Sequence, residues 1–161
     1  MHVFLITQYF PPEVGASSVR WGDYCEILLS QGHKVTVLCE TPNYPIGKIY
    51  RGYKRKFISE EIVSKNFRIL RSAVIINDRS TTLKKLFQYI SFMFTATINS
   101  TKVKNYDLII ISSPPLFVGL VGIFLKKFKN QKYWLDVRDL WPESTPGKDS
   151  SLGDFRDLLS A

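Results

Sequence analysis

The chain opens with an alternation of strand and helix patterns, and this alternation limits the possible folds more than any other feature. Residues 3–6 form a continuous apolar run, which is typical of a strand buried on both faces. Over residues 17–31 the apolar side chains recur at helical spacing, and Gly32 follows as a helix-ending residue. Residues 33–39 show the next strand pattern. This succession predicts a parallel sheet, because parallel strands need a long crossover connection.

The alternation resumes later in the chain. We predict further strands over residues 57–63, 67–74, 107–112 and 133–137, and helices over residues 80–103, 115–128 and 155–159. The first two of these strands are separated by a short turn. The 161 residues suit one domain. The predicted fold class is therefore α/β: a Rossmann-like, doubly wound, mostly parallel sheet that binds ligands at the carboxyl ends of its strands.

Composition excludes several other classes of protein. Apolar residues make up 45% of the chain, too many for an intrinsically disordered segment. The spacing of Cys25 and Cys39 matches neither a zinc site nor a redox pair, so both are expected to be buried in a reducing compartment. Residues 1–6 lack the basic start of a signal peptide, and the apolar stretch 86–98 is too short to span a bilayer. We expect a cytoplasmic protein, and contact with a membrane surface stays open.

A first polar cluster follows the first strand. Gly15, Ala16 and Ser17 stand where the next helix begins, so a ligand can approach free backbone N–H groups, and the helix dipole favours an anion. Arg20 lies about one turn into that helix and is expected to face the same cleft. A plain turn with Ser17 as the helix N-cap explains these residues equally well. The dinucleotide-binding G-x-G-x-x-G spacing and the G-x-x-x-x-G-K-[ST] phosphate loop are absent from the sequence.

Two more polar clusters follow later strands. Ser112 and Ser113 end one strand and precede a helix, where they either bind a sugar hydroxyl or cap the helix. Arg138, Asp139 and Glu143 come directly after the strand over residues 133–137, which we expect to lie centrally in the sheet. Their charges either project into the cleft or pair with one another as an internal ion pair.

These clusters belong to five segments that together resemble a known family. The segments are Q-Y-F-P-P-E-x-G-A-S-x-x-R at residues 8–20, G-H-x-V-T-V-L at 32–38, P-N-Y-P-x-G at 42–47, S-S-P-P-L-F at 112–117 and D-V-R-D-L-W-P-E at 136–143. They resemble the amino-terminal half of bacterial family-four glycosyltransferases, in particular those of capsule, O-antigen and colanic-acid-type polysaccharide biosynthesis. The combination is very specific and extends from the start of the chain to residue 143.

The resemblance implies a GT-B fold of two Rossmann-like domains. In that arrangement the carboxyl-terminal domain holds most of a nucleotide-sugar donor, and the amino-terminal domain holds most of the acceptor, here a lipid-linked saccharide. The reaction that the resemblance implies is glycosyl transfer with retention of anomeric configuration. It implies no cofactor and no bound metal, because helix N-termini and basic side chains stabilise the departing diphosphate instead.

Site residues follow from the resemblance position by position. Gly15, Ala16 and Ser17 would face the donor diphosphate, and Arg20 would support that loop or hold an acceptor phosphate. Asp139 stands where many relatives place a histidine that contacts the donor sugar, and it is the candidate catalytic residue. The expected acceptor-binding residues are Arg20, Ser112, Ser113, Arg138 and Glu143.

The resemblance also predicts what lies outside this chain. The family's donor domain, with its E-x7-E carboxylate pair, has no counterpart in residues 1–161, and a further strand and helix would be expected beyond Ala161. We therefore expect an incomplete acceptor-side domain that does not catalyse alone and works with a donor-binding domain or chain. The alternative from another class is a non-catalytic subunit that recruits a donor-binding partner to the membrane. An unrelated Rossmann-type nucleotide binder is disfavoured by the missing dinucleotide motif.

The basic residues are concentrated in one segment. Residues 48–71 contain eight Lys or Arg against two Glu, a net charge of +6 in a chain of net charge +8. The triplet Lys54, Arg55 and Lys56 lies among aromatic residues, but no nucleic-acid-binding motif accompanies it. The segment suits an anionic membrane surface or the diphosphate of a lipid-linked acceptor, and a solvated basic loop is the plain alternative.

The predicted long helix adds a second membrane-like feature. Over residues 82–98 its apolar side chains share one broad face: Leu83, Leu86, Phe87, Ile90, Met93 and Phe94. Such a face is typical of a helix lying in a membrane interface, and equally of a core helix that residues missing from this chain partly cover. The expected location is the inner face of the cytoplasmic membrane, with peripheral contact.

Overall fold

The computed structural model describes residues 1–113 and 115–138, and its strands form one sheet. The strands are β1 (His2–Thr7), β2 (Lys34–Glu40), β3 (Ile58–Ser64), β4 (Phe67–Ser72), β5 (Leu108–Ser112) and β6 (Trp134–Asp136). Their order is β3-β4-β2-β1-β5-β6, and all neighbours are parallel except the antiparallel β3–β4 hairpin. The predicted mostly parallel α/β sheet is confirmed, and the arrangement is compatible with a Rossmann-like fold.

Three α-helices connect the strands of this part of the chain. They are α1 (Ala16–Ser30), α2 (Thr82–Ser100) and α3 (Gly119–Lys129), and a 3-10 turn over Leu116–Val118 precedes α3. Each lies within two or three residues of its predicted position, except that the helix expected from residue 115 starts as this 3-10 turn. The helix predicted over residues 155–159 lies outside the described residues.

Both faces of the sheet are covered, as the doubly wound prediction requires. On one face, Trp21 and Cys25 of α1 pack with Leu5 and Val35 of the sheet. On the other face, side chains of α2 and α3 pack with apolar residues of β1, β2 and β5, and the members include Phe4, Phe92, Ile109 and Val121. Strands buried on both faces explain why residues 3–6 are continuously apolar.

The two cysteines are buried and free, as expected. Cys25 lies in α1 and Cys39 in β2. Burial raises the pKa of each thiol to about 12, so both remain protonated and unreactive near neutral pH.

The expectation that the last strand is central is wrong for the described residues. There β6 pairs with β5 alone and forms an edge of the sheet. Trp134 is 70% exposed and Leu135 43% exposed, although both are apolar. The position of a strand in the sheet depends on its neighbours, which its own short sequence does not indicate.

No helix in the described ranges is long and apolar enough to cross a membrane.

Candidate functional site

The loops that carry the predicted site residues lie at the carboxyl edge of the sheet. The chain passes from β1 to β2 and β4 on one side and returns to β5 and β6 on the other, so the strand order reverses between β1 and β5. In open α/β sheets a crevice forms at such a reversal, and ligands bind there. The loop from β1 to α1 flanks this crevice on one side, and Ser113 after β5 flanks it on the other.

Arg20 and Asp136 pair at this crevice. The Nη2 atom of Arg20 donates to Oδ2 of Asp136, the last residue of β6. The hydroxyl of Ser112 donates to the same carboxylate oxygen at 3.0 Å. The backbone N–H of Ser113 donates to the Asp136 carbonyl at 2.9 Å. The start of α1, the end of β5 and the end of β6 are therefore tied together.

Asp136 was not among the predicted site residues, although it begins the D-V-R-D-L-W-P-E segment. Its position at the end of β6, the fifth strand of the parallel set, was the available signal. Its contact changes the interpretation of Arg20, because the carboxylate compensates the guanidinium charge. An acceptor phosphate would therefore compete with Asp136 for this cation. The guanidinium carbon also lies 5.1 Å from the Trp21 ring centre.

Three polar atoms at the same edge have no hydrogen-bond partner among the described residues. They are Oγ of Ser17, Nε of Arg20 and Oγ of Ser113. Ser113 is 1% exposed. Buried polar groups in proteins are nearly always hydrogen-bonded, so a group of unpartnered atoms beside a crevice indicates places where a ligand can bond. Two hydroxyls can both donate and accept, whereas the Arg20 atom can only donate.

The start of α1 does not have the Ser17 N-cap that one interpretation of the sequence predicted. Gly15, and not Ser17, occupies the N-cap position, and no side chain caps the helix. Ser18 instead donates its hydroxyl to the Glu13 carbonyl at 2.6 Å. A Cβ on Gly15 would lie 3.4 Å from the Tyr44 ring, so this ring packs closely on the loop. The first N–H groups of α1 therefore have no side-chain cap.

Glu13 joins the loop after β1 to the loop after β2. Its Oε1 accepts the backbone N–H groups of Asn43 at 2.8 Å and Tyr44 at 2.9 Å. The side chain is 3% exposed. Burial raises the pKa of Glu13, and the backbone N–H donors oppose that shift by favouring the charged carboxylate. This contact joins the P-P-E and P-N-Y-P segments.

Glu40, at the end of β2, is fully buried among side-chain amides. Its Oε2 accepts from Gln8 at 2.7 Å, and its Oε1 accepts from Asn43 at 2.7 Å and from Gln88 of α2 at 3.3 Å. Burial and the charge of nearby Glu13 raise the pKa of Glu40 well above its ordinary value. The network attaches α2 to the loops that follow β1 and β2.

Arg79 is a further cation that sequence reasoning missed. Its guanidinium donates to the hydroxyls of Tyr9 at 2.8 Å and Tyr89 at 2.9 Å. Its central carbon lies between 5.1 and 5.6 Å from the ring centres of those tyrosines and of Tyr44. No motif surrounds Arg79 in the sequence, and its three partners come from separate segments, so no local pattern could have indicated it.

The basic segment, residues 48–71, contains both exposed and buried cations. Lys54, Arg55 and Lys56 are exposed, as a binding or solvated surface requires. Arg71 is 1% exposed and donates to Glu61 at 2.8 Å and to the Pro11 carbonyl at 2.6 Å. Its inclusion in a surface charge cluster was wrong, because it is an internal structural cation.

The last predicted cluster lies mostly outside the described residues. Asp139 and Glu143 belong to that part of the chain, as do any ion pairs they form with Arg138. Arg138 itself is exposed and follows β6 by two residues. It therefore lies on the same edge as Asp136.

No group of three or more potential metal ligands occurs among the described side chains.

The comparisons with known proteins leave the family resemblance as a prediction. No family model matches the chain, and no curated protein matches it either.

Proposed function

We propose that this chain is the acceptor-binding half of a retaining glycosyltransferase with a GT-B fold. The enzyme transfers a sugar from a nucleotide-sugar donor to a lipid-linked saccharide in surface polysaccharide biosynthesis. The contact between Arg20 and Asp136 carries the proposal, because it joins the first and the last of the five family-like segments at the reversal of the sheet. Motifs that are distant in sequence but adjacent at a crevice are expected for one site.

The chemistry of the crevice suits a saccharide. The Ser17 and Ser113 hydroxyls can each bond a sugar hydroxyl, and Nε of Arg20 can donate to another. Because Asp136 compensates the Arg20 charge, these groups favour a neutral polyhydroxyl ligand over an anion at this point. Ser112 holds the Asp136 carboxylate in place and acts as a positioning residue.

In this proposal the donor diphosphate approaches the start of α1. The uncapped start of α1, at Gly15, Ala16 and Ser17, directs backbone N–H groups and a positive helix-dipole end toward the departing diphosphate. Stabilising that charge as it develops is what accelerates the transfer. Asp139 is assigned to the reacting sugar, by the motif alone. A donor-binding domain or partner chain supplies the remaining contacts.

The proposal includes peripheral binding to the inner face of the cytoplasmic membrane, because a lipid-linked acceptor resides in a bilayer. The exposed triplet Lys54, Arg55 and Lys56 supports this location, since an anionic leaflet attracts such cations. The same triplet is also suited to an acceptor diphosphate.

The experiment measures nucleoside diphosphate released from a panel of nucleotide-sugars by the chain together with its donor-binding domain or partner. A bacterial lipid extract supplies the acceptor. We expect release that depends on the acceptor. Ser113→Ala should lower kcat/KM for the acceptor about three- to ten-fold, the range for one lost hydrogen bond to a ligand.

Ser59→Ala on β3 is the matched control, because it removes a hydroxyl far from the crevice. It should leave kcat/KM unchanged. The proposal fails if no donor gives acceptor-dependent release, or if Ser113→Ala and Ser59→Ala behave alike.

A further inference from the structure

Arg79 is a half-buried cation that no carboxylate pairs with in the described part of the chain. Ion pairs form there with four other cations: Arg20, Arg68, Arg71 and Lys84. Arg79 is instead linked to the buried Glu40 through Gln88, whose amide oxygen accepts from Arg79 at 3.2 Å and whose nitrogen donates to Glu40 at 3.3 Å. Burial, followed by the charge of Glu13, raises the pKa of Glu40 well above its ordinary value, which favours the uncharged carboxyl. A guanidinium in these surroundings favours the binding of an anion.

The Arg79 guanidinium also has donors to spare. A guanidinium has five N–H donors, and Arg79 uses three of them inside the protein. Nη1 donates to the Tyr9 hydroxyl and to Gln88, and Nη2 donates to the Tyr89 hydroxyl. Nε and one hydrogen of Nη2 have no acceptor among the described residues. Two N–H groups of one guanidinium can bond two oxygens of the same phosphate or carboxylate.

Three phenolic hydroxyls around this cation supply further donors. The Tyr9 and Tyr89 hydroxyls accept from Arg79, and neither donates to a residue within the described ranges. The Tyr44 hydroxyl bonds to none of these residues, although its ring centre lies 5.1 Å from the central carbon of Arg79. Burial raises the pKa of Tyr9 well above its ordinary value, so its hydroxyl keeps a proton to donate. Together with the two N–H groups these hydroxyls exceed the about four acceptor sites of a carboxylate, whereas a phosphate has enough oxygens for all of them.

The tyrosines place this cation beside the crevice. Tyr9 follows β1 by two residues, and Tyr44 follows β2 by four. The Tyr44 ring also lies against Gly15, at the start of α1. The Tyr89 ring stacks on Phe117, which follows β5, with ring centres 6.5 Å apart. The guanidinium is therefore held at the carboxyl edge of the sheet, next to the reversal of the strand order.

The backbone at Arg79 is held in a conformation that non-glycine residues rarely adopt. Its φ is 56°, in the left-handed region, and its N–H donates to Oδ1 of Asn77 at 2.9 Å. A Cβ on Gly47, in the P-N-Y-P-x-G segment, would lie 2.5 Å from the Asn77 carbonyl oxygen. The loop after β2 therefore packs directly on the residues that position Arg79. Strained backbone of this kind is concentrated at functional sites.

We propose that Arg79, Tyr9, Tyr44 and Tyr89 bind a phosphate group beside the crevice. The group belongs to a phosphate ester or diphosphate whose sugar lies against the hydroxyls of the crevice. Both the lipid-linked acceptor and the nucleotide-sugar donor carry a diphosphate, and either one supplies this chemistry. The inference deepens the proposed function and rests on it only for the molecule that carries the phosphate.

Isothermal titration calorimetry of the 161-residue chain with inorganic pyrophosphate tests the site. The wild type should bind pyrophosphate. Arg79→Gln should bind it at least about ten-fold more weakly, because charge-assisted hydrogen bonds are lost. Tyr44→Phe should bind it at least about three-fold more weakly. This second variant removes a hydroxyl that bonds to no described residue, so a merely structural role of Tyr44 predicts no change, and the test holds even if Arg79→Gln does not fold.

Each variant has a matched control at the opposite edge of the sheet. Arg68→Gln removes a guanidinium from the start of β4, and Tyr106→Phe removes a phenolic hydroxyl just before β5. Both should bind pyrophosphate as the wild type does. The proposal is overturned if the wild type does not bind, or if either site variant binds no more weakly than its control. It is also overturned if the triple variant K54S/R55S/K56S abolishes binding while Arg79→Gln leaves it unchanged.

Two further ligands distinguish the sources of the phosphate. Geranyl diphosphate represents a lipid-linked acceptor, and uridine diphosphate represents a nucleotide-sugar donor. A greater loss of affinity for geranyl diphosphate in Arg79→Gln would assign the site to the acceptor, and a greater loss for uridine diphosphate would assign it to the donor. Unchanged affinity for both would overturn the proposal.

The outcome for this site is separable from the outcome for the proposed function, because pyrophosphate binding needs neither a sugar nor a partner domain. Pyrophosphate binding that Arg79→Gln weakens, without sugar transfer from any donor, would reject the glycosyltransferase assignment alone. Sugar transfer by an enzyme whose pyrophosphate affinity does not depend on Arg79 would reject the phosphate site alone.

Discussion

Arg20 and Asp136 are separated by 116 residues in the sequence and form an ion pair at the carboxyl edge of the sheet. Arg20 projects from the second turn of α1, whereas Asp136 ends β6. Ser112 shares the carboxylate, so the pair holds both sides of the crevice at a defined separation. Its loss should affect stability as well as ligand binding.

Removal of the Asp136 carboxylate tests that structural role. Asp136→Ala leaves the Arg20 guanidinium and the Ser112 hydroxyl without their acceptor, and both side chains of the ion pair are only 28% exposed. We expect the free energy of unfolding in urea to fall by about 1–2 kcal/mol. Glu60→Ala is the control, because its 3.3 Å pair with Arg68 is more exposed and should contribute about 0–0.5 kcal/mol. Equal losses would contradict the prediction.

Glu13 should be more important for stability than its place in a loop suggests. Glu13→Ala leaves the buried backbone N–H groups of Asn43 and Tyr44 unpaired, which should lower the free energy of unfolding by about 2–4 kcal/mol. Glu13→Gln keeps one oxygen that can accept from both, so it should lose less than half as much. Urea unfolding measures both variants. Glu26→Ala, at an exposed site on α1, should change little, and a comparable loss there would refute the interpretation.

Glu40 should make the protein less stable as the pH rises. Burial, followed by the charge of Glu13, raises the pKa of Glu40 in the folded state. The stability that this group contributes is fully present below its unfolded-state pKa and is lost as the pH rises through its folded-state pKa. Glu40→Gln stays neutral throughout. Gln8, whose Oε1 has no partner in the described part of the chain, can rotate its amide to accept from the new side chain.

The measurement is the free energy of unfolding in urea at several pH values from about 5 to about 9. The wild type should lose more stability over this range than E40Q does. The exposed substitution Glu26→Gln serves as the control and should follow the wild type. Parallel curves for wild type and E40Q would show that Glu40 does not titrate as described.

Two glycines of α3 should respond oppositely to the same substitution. A Cβ on Gly122 would lie 2.7 Å from Cδ1 of Ile111 and 2.5 Å from the Tyr133 ring, so Gly122→Ala should destabilise by about 1–3 kcal/mol. A Cβ on Gly119 meets Leu135 at 3.7 Å, an ordinary contact. Gly119→Ala should therefore be neutral or stabilise by up to about 1 kcal/mol. Thermal unfolding of both variants checks the difference, and losses of equal size would reject the packing argument.

The helices and strands were predictable because each depends on a short-range period. The apolar spacing over residues 17–31 predicts α1, which the structure has at Ala16–Ser30. The short turn predicted between the strands over residues 57–63 and 67–74 is present, and these strands pair as the antiparallel hairpin of β3 and β4. The position of polar residues directly after strands also indicated the carboxyl edge, since parallel strands place those residues together.

The contacts within the site and the surface of α2 depended on the tertiary structure. Three contacts join segments that are distant in sequence. They are the pair of Arg20 and Asp136, the buried contact of Arg71 with the Pro11 carbonyl, and the packing of Arg79 among three tyrosines. The apolar face of α2 could be assigned equally to a core or to an interface, and only packing showed that Phe87 and Phe94 are exposed. The physical reason is that a local period records how a segment folds, whereas strand order and the burial of a helix face are set by neighbours from elsewhere in the chain.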